Sequence, residues 1–294
     1  MPKNNPILSI VILSYNTKEL LNNCLESVYG AKSETFYEVI VSDNGSSDGS
    51  VELVKEKYPN ACLIENKENL GFAAGNNRAK NYCSGKYILF LNSDTELHKN
   101  TIKETLSYIE KHKRVGALTC RIVLPSGELD KDARRSFPTP WVGFTHFSGL
   151  DRLFPKSRIF AKYWYGYISE NKTHEVDVIQ GAFFLARKHV LDDVKWFDED
   201  YFLDGEDIDL CWKIKEAGWK IVYYPKASLK HVKKASKNKR SNNDRDKFVV
   251  AGVDSMKMFY RKHLWNRYPA IVNYVVLVGI NIVLFLRKAK LSLD

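Results

Sequence analysis

Four short polar stretches hold side chains able to do chemistry: Ser14-Tyr15-Asn16, Asp43 to Asp48, Asn92-Ser93-Asp94, and Glu206-Asp207-Ile208-Asp209. His231 stands apart from them. Each of the first three follows an apolar run of the kind that forms a buried strand, and open parallel sheets bind ligands just outside the carboxyl ends of their strands. Carboxylates, amides and hydroxyls gathered on such an edge suit an anionic ligand or a hard divalent cation held by oxygen. Taken singly, each stretch has a blander explanation. Asp43 to Gly49 is good turn chemistry, and Asn16 or Asp48 could cap the helix that follows. Three clusters on one edge are harder to assign to turns alone.

The fourth stretch opens a helix expected from Glu206 to Ala217. Asp207 shares a helical face with Leu210, Cys211, Ile214 and Ala217, which should point inward, whereas Asp209 aligns with Trp212, Lys213 and Glu216. Acidic residues in a first turn favour the helix dipole in any case. That accounts for acidic residues there in general, but not for one at the head of the apolar stripe. His231 ends a strand-like Ala227 to Lys230, and a lone histidine is more often structural than a ligand. Asn69 to Asn77 opens another helix with small residues. It has no phosphate-loop lysine, and Gly71 and Gly75 do not make the dinucleotide fingerprint. Tight packing on a sheet and close approach of a ligand both stay open for it.

These residues need a framework, and the first 120 residues supply one by alternation. Strand-like Ile7 to Ser14, Glu38 to Ser42, Ala61 to Ile64, Lys86 to Leu91 and Gly116 to Val123 are separated by helical patterns. The helices are Thr17 to Tyr29, Ser50 to Tyr58, Phe72 to Cys83 and Thr101 to Lys113. That order predicts a doubly wound parallel sheet. From 130 to 175 the period fails among prolines, arginines and aromatics, and most of those aromatics are expected to pack beneath long loops. Regular structure resumes at Val176 to Ala186, then strand-like Lys220 to Tyr224 and a helix from Phe248 to His263.

The chain of 294 residues is 44% hydrophobic and can bury a full-sized core. Its five scattered cysteines read as buried thiols of a reducing cytosol, and the start lacks the apolar run of a signal peptide. The net charge of +10 is uneven: from Lys226 to Lys247 nine Lys or Arg face two Asp. An anionic partner such as lipid headgroups or diphosphates fits this. Nucleic acid does not, because Lys233 to Asn243 offers no aromatic for base stacking. Ala270 to Leu286 holds no charge, and as a helix of about 25 Å it is marginal for a hydrocarbon core of about 30 Å. A membrane-attached helix, shallow or just spanning, is expected there in preference to a buried or dimerising one.

With these motifs in this order, the chain resembles the family 2 glycosyltransferases of the GT-A fold, most closely the rhamnosyltransferase-like members. The resemblance rests on Ile10 to Asn16, Asp43 to Asp48, Asn69 to Asn77, Leu91 to Asp94, Gly181 to Arg187, Gly205 to Cys211 and Pro225 to His231. It implies an α/β, GT-A type, doubly wound and mostly parallel sheet flanked by helices. That domain would cover residues 1–232, with a nucleotide-binding half to 125 and an acceptor half from 126. A basic mobile loop (233–247) and C-terminal helices (248–294) would follow, the last helix membrane-associated.

By the same resemblance, Ser14, Tyr15 and Asp43 hold the nucleoside of a sugar nucleotide, and Asn16, Asn69, Gly71, Asn77, Asn92 and Ser93 line the donor pocket. Asp94 and His231 hold Mg²⁺ or Mn²⁺. Asp207 is the general base, supported by Glu206 and Asp209. The implied activity is inverting transfer of a sugar, rhamnose or another deoxyhexose, from a dTDP- or UDP-sugar to a lipid-linked or polysaccharide acceptor. It would serve cell-surface glycan synthesis at the cytoplasmic face of the membrane. One departure is Asn92, where the family pattern often has aspartate. The alternative is a non-catalytic nucleotide-sugar-binding scaffold at the membrane; a nucleotidylyltransferase is disfavoured because Ser14 to Thr17 replaces its glycine-rich, basic signature.

Overall fold

Apolar runs become strands where the alternation places them. The computed structural model describes residues 5–31, 36–233 and 242–291. It begins β1 (Leu8–Ser14), α1 (Lys18–Tyr29), β2 (Tyr37–Asp43), α2 (Ser50–Lys57), β3 (Cys62–Glu65), α3 (Gly71–Asn77) and β4 (Tyr87–Asn92). There follow β5 (Thr95–Leu97), α4 (Thr101–Lys111), β6 (Val115–Val123), α5 (Pro140–Phe147), α6 (Leu150–Leu153) and β7 (His174–Glu175). The chain continues through β8 (Phe183–Arg187), α7 (Lys188–Asp193), α8 (Glu206–Glu216), β9 (Lys220–His231), α9 (Asn242–Phe259) and α10 (Ala270–Leu291).

The strands join in the order β3-β2-β1-β4-β8-β6-β9-β5, with β7 on β9. The β1–β2, β2–β3, β1–β4 and β6–β9 pairs are parallel, while β8 runs antiparallel to both β4 and β6. This direction pattern is what builds the site. Ser14 is in register with Asp43, and Leu13 with Asn92, so three strands end in one row. Because β8 is reversed, its amino end lies beside the carboxyl end of β4, with Leu91 opposite Phe183. Val123 pairs with Lys230, and Thr95 with His231, which brings the ends of β6 and β9 to the same edge. Strands β1 and β4 are almost wholly buried, as a doubly covered sheet requires. Each large apolar side chain sealed there contributes about 1.5–3 kcal/mol.

Several expectations change. The helix expected to Cys83 stops at Asn77, and a 3₁₀ turn covers Lys80–Tyr82. Of Val176 to Ala186 only the end is strand. The strand expected to stop at Tyr224 runs through Pro225 to His231, because the pairing slips between Cys120–Tyr224 and Arg121–Ser228, and a bulge tolerates a residue without an N–H. Helix α9 starts at Asn242 rather than Phe248, and continues into a π-helical turn at Tyr260–Leu264. The expected basic loop lies, from 234 to 241, outside the described residues. Among the aromatics of 130–175, Tyr165 is buried and Phe137, Phe160, Tyr163, Trp164 and Tyr167 are half-buried, as expected of most of them, but Trp141, Phe144, Phe147 and Phe154 are exposed.

The five cysteines are free thiols. Burial pushes Cys24 and Cys83 up to about 12 and raises Cys120 and Cys211 as well, whereas Cys62 is half-buried.

Candidate active site

At the strand ends the polar side chains bond to one another. Asp43 accepts from the Ser46 N–H and from Ser46 Oγ, each at 2.7 Å. The Asn16 N–H donates to Ser46 Oγ at 2.8 Å, and Asn16 Oδ1 accepts from the Ser47 N–H at 2.8 Å. Asp48 accepts from the N–H groups of Ser50 and Lys18, tying the starts of α1 and α2 together. Thr17 shares hydrogen bonds with Ser14 at 3.4 Å and Ser93 at 2.9 Å, joining the ends of β1 and β4. Tyr15 is left exposed on this shelf, where a flat ligand could lie.

Three residues expected in the donor pocket are used by the chain itself. Asn69 Oδ1 accepts from the Gly71 N–H and from Asn44. Gly71 has φ +79°, and a Cβ there would sit 2.4 Å from the carbonyl oxygen of Phe202, so the close approach it permits is to its own backbone. Asn77 donates to the Phe197 carbonyl and to Glu199, and accepts from the Phe197 N–H. It latches α3 to the 197–199 turn, with both ends of its amide committed.

His231 sits between two carboxylates. Its Nε2 is 3.2 Å from Asp94 Oδ1 and its Nδ1 is 3.3 Å from Asp130 Oδ2. Gln180 and Lys233 also donate to Asp130, and Lys233 reaches Asp132 at 2.6 Å. Burial pushes the imidazole down, but the hydrogen bonds to Asp130 and Asp94 more than offset it and raise His231 to about 9. Burial likewise works against the Asp130 charge, and the donors from His231, Lys233 and Gln180 overcome it and hold Asp130 low.

The second centre is the amino end of α8. Asp204 (φ +63°) and Gly205 (φ +96°) turn the chain into the helix, and a Cβ on Gly205 would press on Ser255 and Tyr201. Glu206, Asp207 and Asp209 are all buried, so the expectation that only Asp207 faces inward is corrected. The reason is a layer that the helical period does not reveal: Phe259, Tyr260 and Leu264 cluster with Trp212 over the outer face of α8. Under that layer Asp209 pairs with His263 at 2.6 Å and with Lys213, which keep it ionised against its burial. Asp209 is therefore a link to the C-terminal helices and not a support for the base.

Asp207 forms an ion pair with the buried Arg135. Burial raises the Asp207 carboxyl and Arg135 opposes the rise, whereas Glu206 is raised well above the usual carboxylate range by burial and by the Asp207 charge. Glu206 Oε2 has no hydrogen-bond partner among the described residues. Tyr163 lies against Arg135, and its ring meets His146 at 4.3 Å, so the exposed aromatic face of α5 begins two side chains from Asp207.

The two centres meet through a segment that sequence reading passed over. Asp130 and Asp132 belong to the Lys233 and His231 cluster, and Arg135 of the same stretch holds Asp207. Two isolated bridges, Val123 to Leu129 and Arg135 to Val178, fix that stretch on the sheet edge. The turn at Pro125-Ser126-Gly127, with Gly127 at φ +86°, was the available signal that the chain doubles back over the strand end.

A parallel sheet whose carboxyl edge carries a hydroxyl and amide shelf, flanked by a mixed sheet with buried carboxylates, is the architecture of a GT-A nucleotide-sugar transferase. The Glycosyl transferase family 2 profile matches residues 9–195, and the chain belongs to that family. A curated relative from Mycobacterium tuberculosis, N-acetylglucosaminyl-diphospho-decaprenol L-rhamnosyltransferase, is 29% identical over 238 residues, covering 77% of this chain and 76% of the relative. The rhamnosyltransferase WbbL of Escherichia coli is 27% identical over 225 residues, covering 74% and 80%. Among solved structures, a Pyrobaculum calidifontis mannosyltransferase bound to GDP-Man and Mn²⁺ superposes with a TM-score of 0.59. It is 18% identical, over 100% of this chain and 82% of that one.

Proposed function

We propose that the protein is an inverting glycosyltransferase that moves a deoxyhexose, rhamnose foremost, from a dTDP-sugar to a lipid-linked or polysaccharide acceptor. It would work at the cytoplasmic face of the cell membrane in cell-surface glycan synthesis. The observation that carries the reading is the division of charge: a histidine set between carboxylates at the strand ends, and a buried carboxylate pair at the head of α8. The rhamnosyltransferase names of the two relatives support the sugar.

In this reading Tyr15 and Asp43 meet the nucleoside, with Ser14 packed behind them, and Asn92 and Ser93 line the diphosphate. Asp94 Oδ1, on the turn between β4 and β5, and His231 Nε2, at the end of β9, are an oxygen and a nitrogen donor 3.2 Å apart, a set that fits Mn²⁺ or Mg²⁺. Among the described residues no group of three or more His, Cys, Asp or Glu could hold a metal ion, so diphosphate oxygens would complete the shell. A divalent cation held by Asp94 and His231 would supply positive charge to offset that collecting on the departing diphosphate. Asp130 fixes the ring of His231 through Nδ1, the usual second partner of a metal-ligating histidine.

Asp207 takes the proton from the acceptor hydroxyl. Arg135 bonds one carboxylate oxygen, Oδ2, and its charge opposes the rise that burial imposes on the group. Glu206 is raised well above the usual carboxylate range by burial and by the Asp207 charge, so the pair resists carrying two negative charges. One base on one side of the anomeric carbon gives single displacement and inversion. A scaffold would have no use for carboxylates raised by burial. The test is hydrolysis and transfer with dTDP-, UDP- and GDP-sugars in Mn²⁺ or Mg²⁺, with the anomer of the product read by NMR. Turnover of dTDP-rhamnose with inversion is expected; donor binding without turnover on any acceptor would favour the scaffold.

A further inference from the structure

Helix α10 is long and apolar enough over Ala270–Ala289 to cross a membrane, yet the way it is held points elsewhere. It packs back along α9, and its Val276 reaches the cluster that Phe259, Tyr260 and Leu264 form with Trp212 of α8. Near its start, Asn273 accepts from Tyr260 Oη at 2.6 Å and donates to the carbonyls of Trp265 and Tyr268. Near its end, a Cβ on Gly252 of α9 would lie 3.9 Å from Nη1 of Arg287 and 3.2 Å from Oδ2 of Asp204, two residues before Glu206. A helix that crosses a bilayer leaves its domain on one side. This one runs back along α9, which itself packs on α8 and carries the exposed Asp254 and its partner Lys257.

Its two faces differ. Asn273 and Ile280 are buried. Ile271, Tyr274, Val275, Val278, Ile282 and Phe285 are exposed and fall on one stripe opposite them, since steps of three, four and seven residues return to the same side. Cations bracket the stripe, with Arg261 exposed before it and Arg287 and Lys288 after it, and Trp265 is partly exposed at its head. An apolar stripe with basic ends and aromatics at its margin matches the headgroup and acyl boundary of an anionic bilayer.

We propose that α10 is an in-plane membrane helix, lying along an anionic bilayer with this stripe in the acyl region and never crossing it. The proposal rests on the membrane attachment proposed above, and the transfer chemistry does not depend on it. Lying flat, α10 holds the Asp204–Asp207 turn close to the bilayer surface, where a lipid-linked acceptor presents its sugar.

The test uses the full chain with Cys62→Ser and single cysteines at Ile271, Val278 and Phe285. Each carries an environment-sensitive dye and is mixed with phosphatidylcholine and phosphatidylglycerol vesicles bearing quenchers at shallow or deep positions. Similar shallow quenching at all three sites is expected. Deep quenching at Val278 with shallow quenching at the two ends would mean a crossing helix and overturn the proposal. Dyes already shielded in a vesicle-free dimer, or unchanged by vesicles, would overturn it too. Val278→Glu with Ile282→Glu should lower the vesicle-bound fraction at least about tenfold, leaving donor hydrolysis unchanged. If hydrolysis were absent in every variant, the transferase reading would fail while the dyes still reported depth.

Discussion

The strand-end shelf and the head of α8 use acidic and amide groups in opposite ways. On the shelf, Asp43, Asp48, Asn16, Asn69 and Asn77 bond to nearby backbone N–H groups, carbonyls and hydroxyls, and their positions are over-determined. At α8, Glu206 and Asp207 are buried next to each other with one guanidinium, that of Arg135, paired to Asp207, and both are raised. A satisfied polar network gives shape; an unevenly satisfied one stores reactivity. In the proposed function the shelf holds a donor still while the head of α8 acts on the acceptor.

The sharpest way to break this comparison is Asp207→Asn, which keeps size and removes the proposed base. Turnover should fall on the order of a thousandfold with donor KM nearly constant. Unchanged transfer would remove Asp207 from the chemistry.

A second effect appears in stability. His231 is raised from 6.5 to about 9, so without cation it contributes stability that is complete below pH 6.5 and lost as pH rises through about 9. The span corresponds to about 3 kcal/mol, read as a falling denaturation midpoint from pH 6 to 9. His231→Gln should flatten that slope, and Asp130→Asn should reduce it. Cation affinity runs the other way and strengthens with pH, because a ligating imidazole must first release its proton.

The smallest change belongs to the shelf side. Asn77→Ala should lower stability by about 1–2 kcal/mol through its lost latch and leave donor KM and kcat within twofold. A large rise in KM would return Asn77 to the donor pocket.

The row of strand ends was legible because a buried strand announces itself by a continuous apolar run and its end by the first polar residue; Ser14, Asp43 and Asn92 needed nothing more. Asp207 was legible from its place on the helical stripe. Asp209 was misplaced because the layer that buries it comes from Phe259, Tyr260 and Leu264, some 50 residues further along, and a helical wheel carries no information about a distant lid. Asp130 and Arg135 were missed because isolated bridges leave no period in sequence. Asn77 and Gly71 were read toward a ligand when their partners, the 197–199 turn and Phe202, are parts of the chain itself.

The buried thiols have a use of their own. Cys24 lies beneath the β4 end, Cys83 under β1, Cys120 within β6 and Cys211 on the inner face of α8, and burial keeps all four protonated. An alkylating reagent cannot reach them until the surrounding structure opens, so each labelling rate is a clock for the opening of its own layer. If the Cys211 clock slows when donor and cation are added while the Cys83 clock does not, the head of α8 is the part of the domain that tightens around substrate.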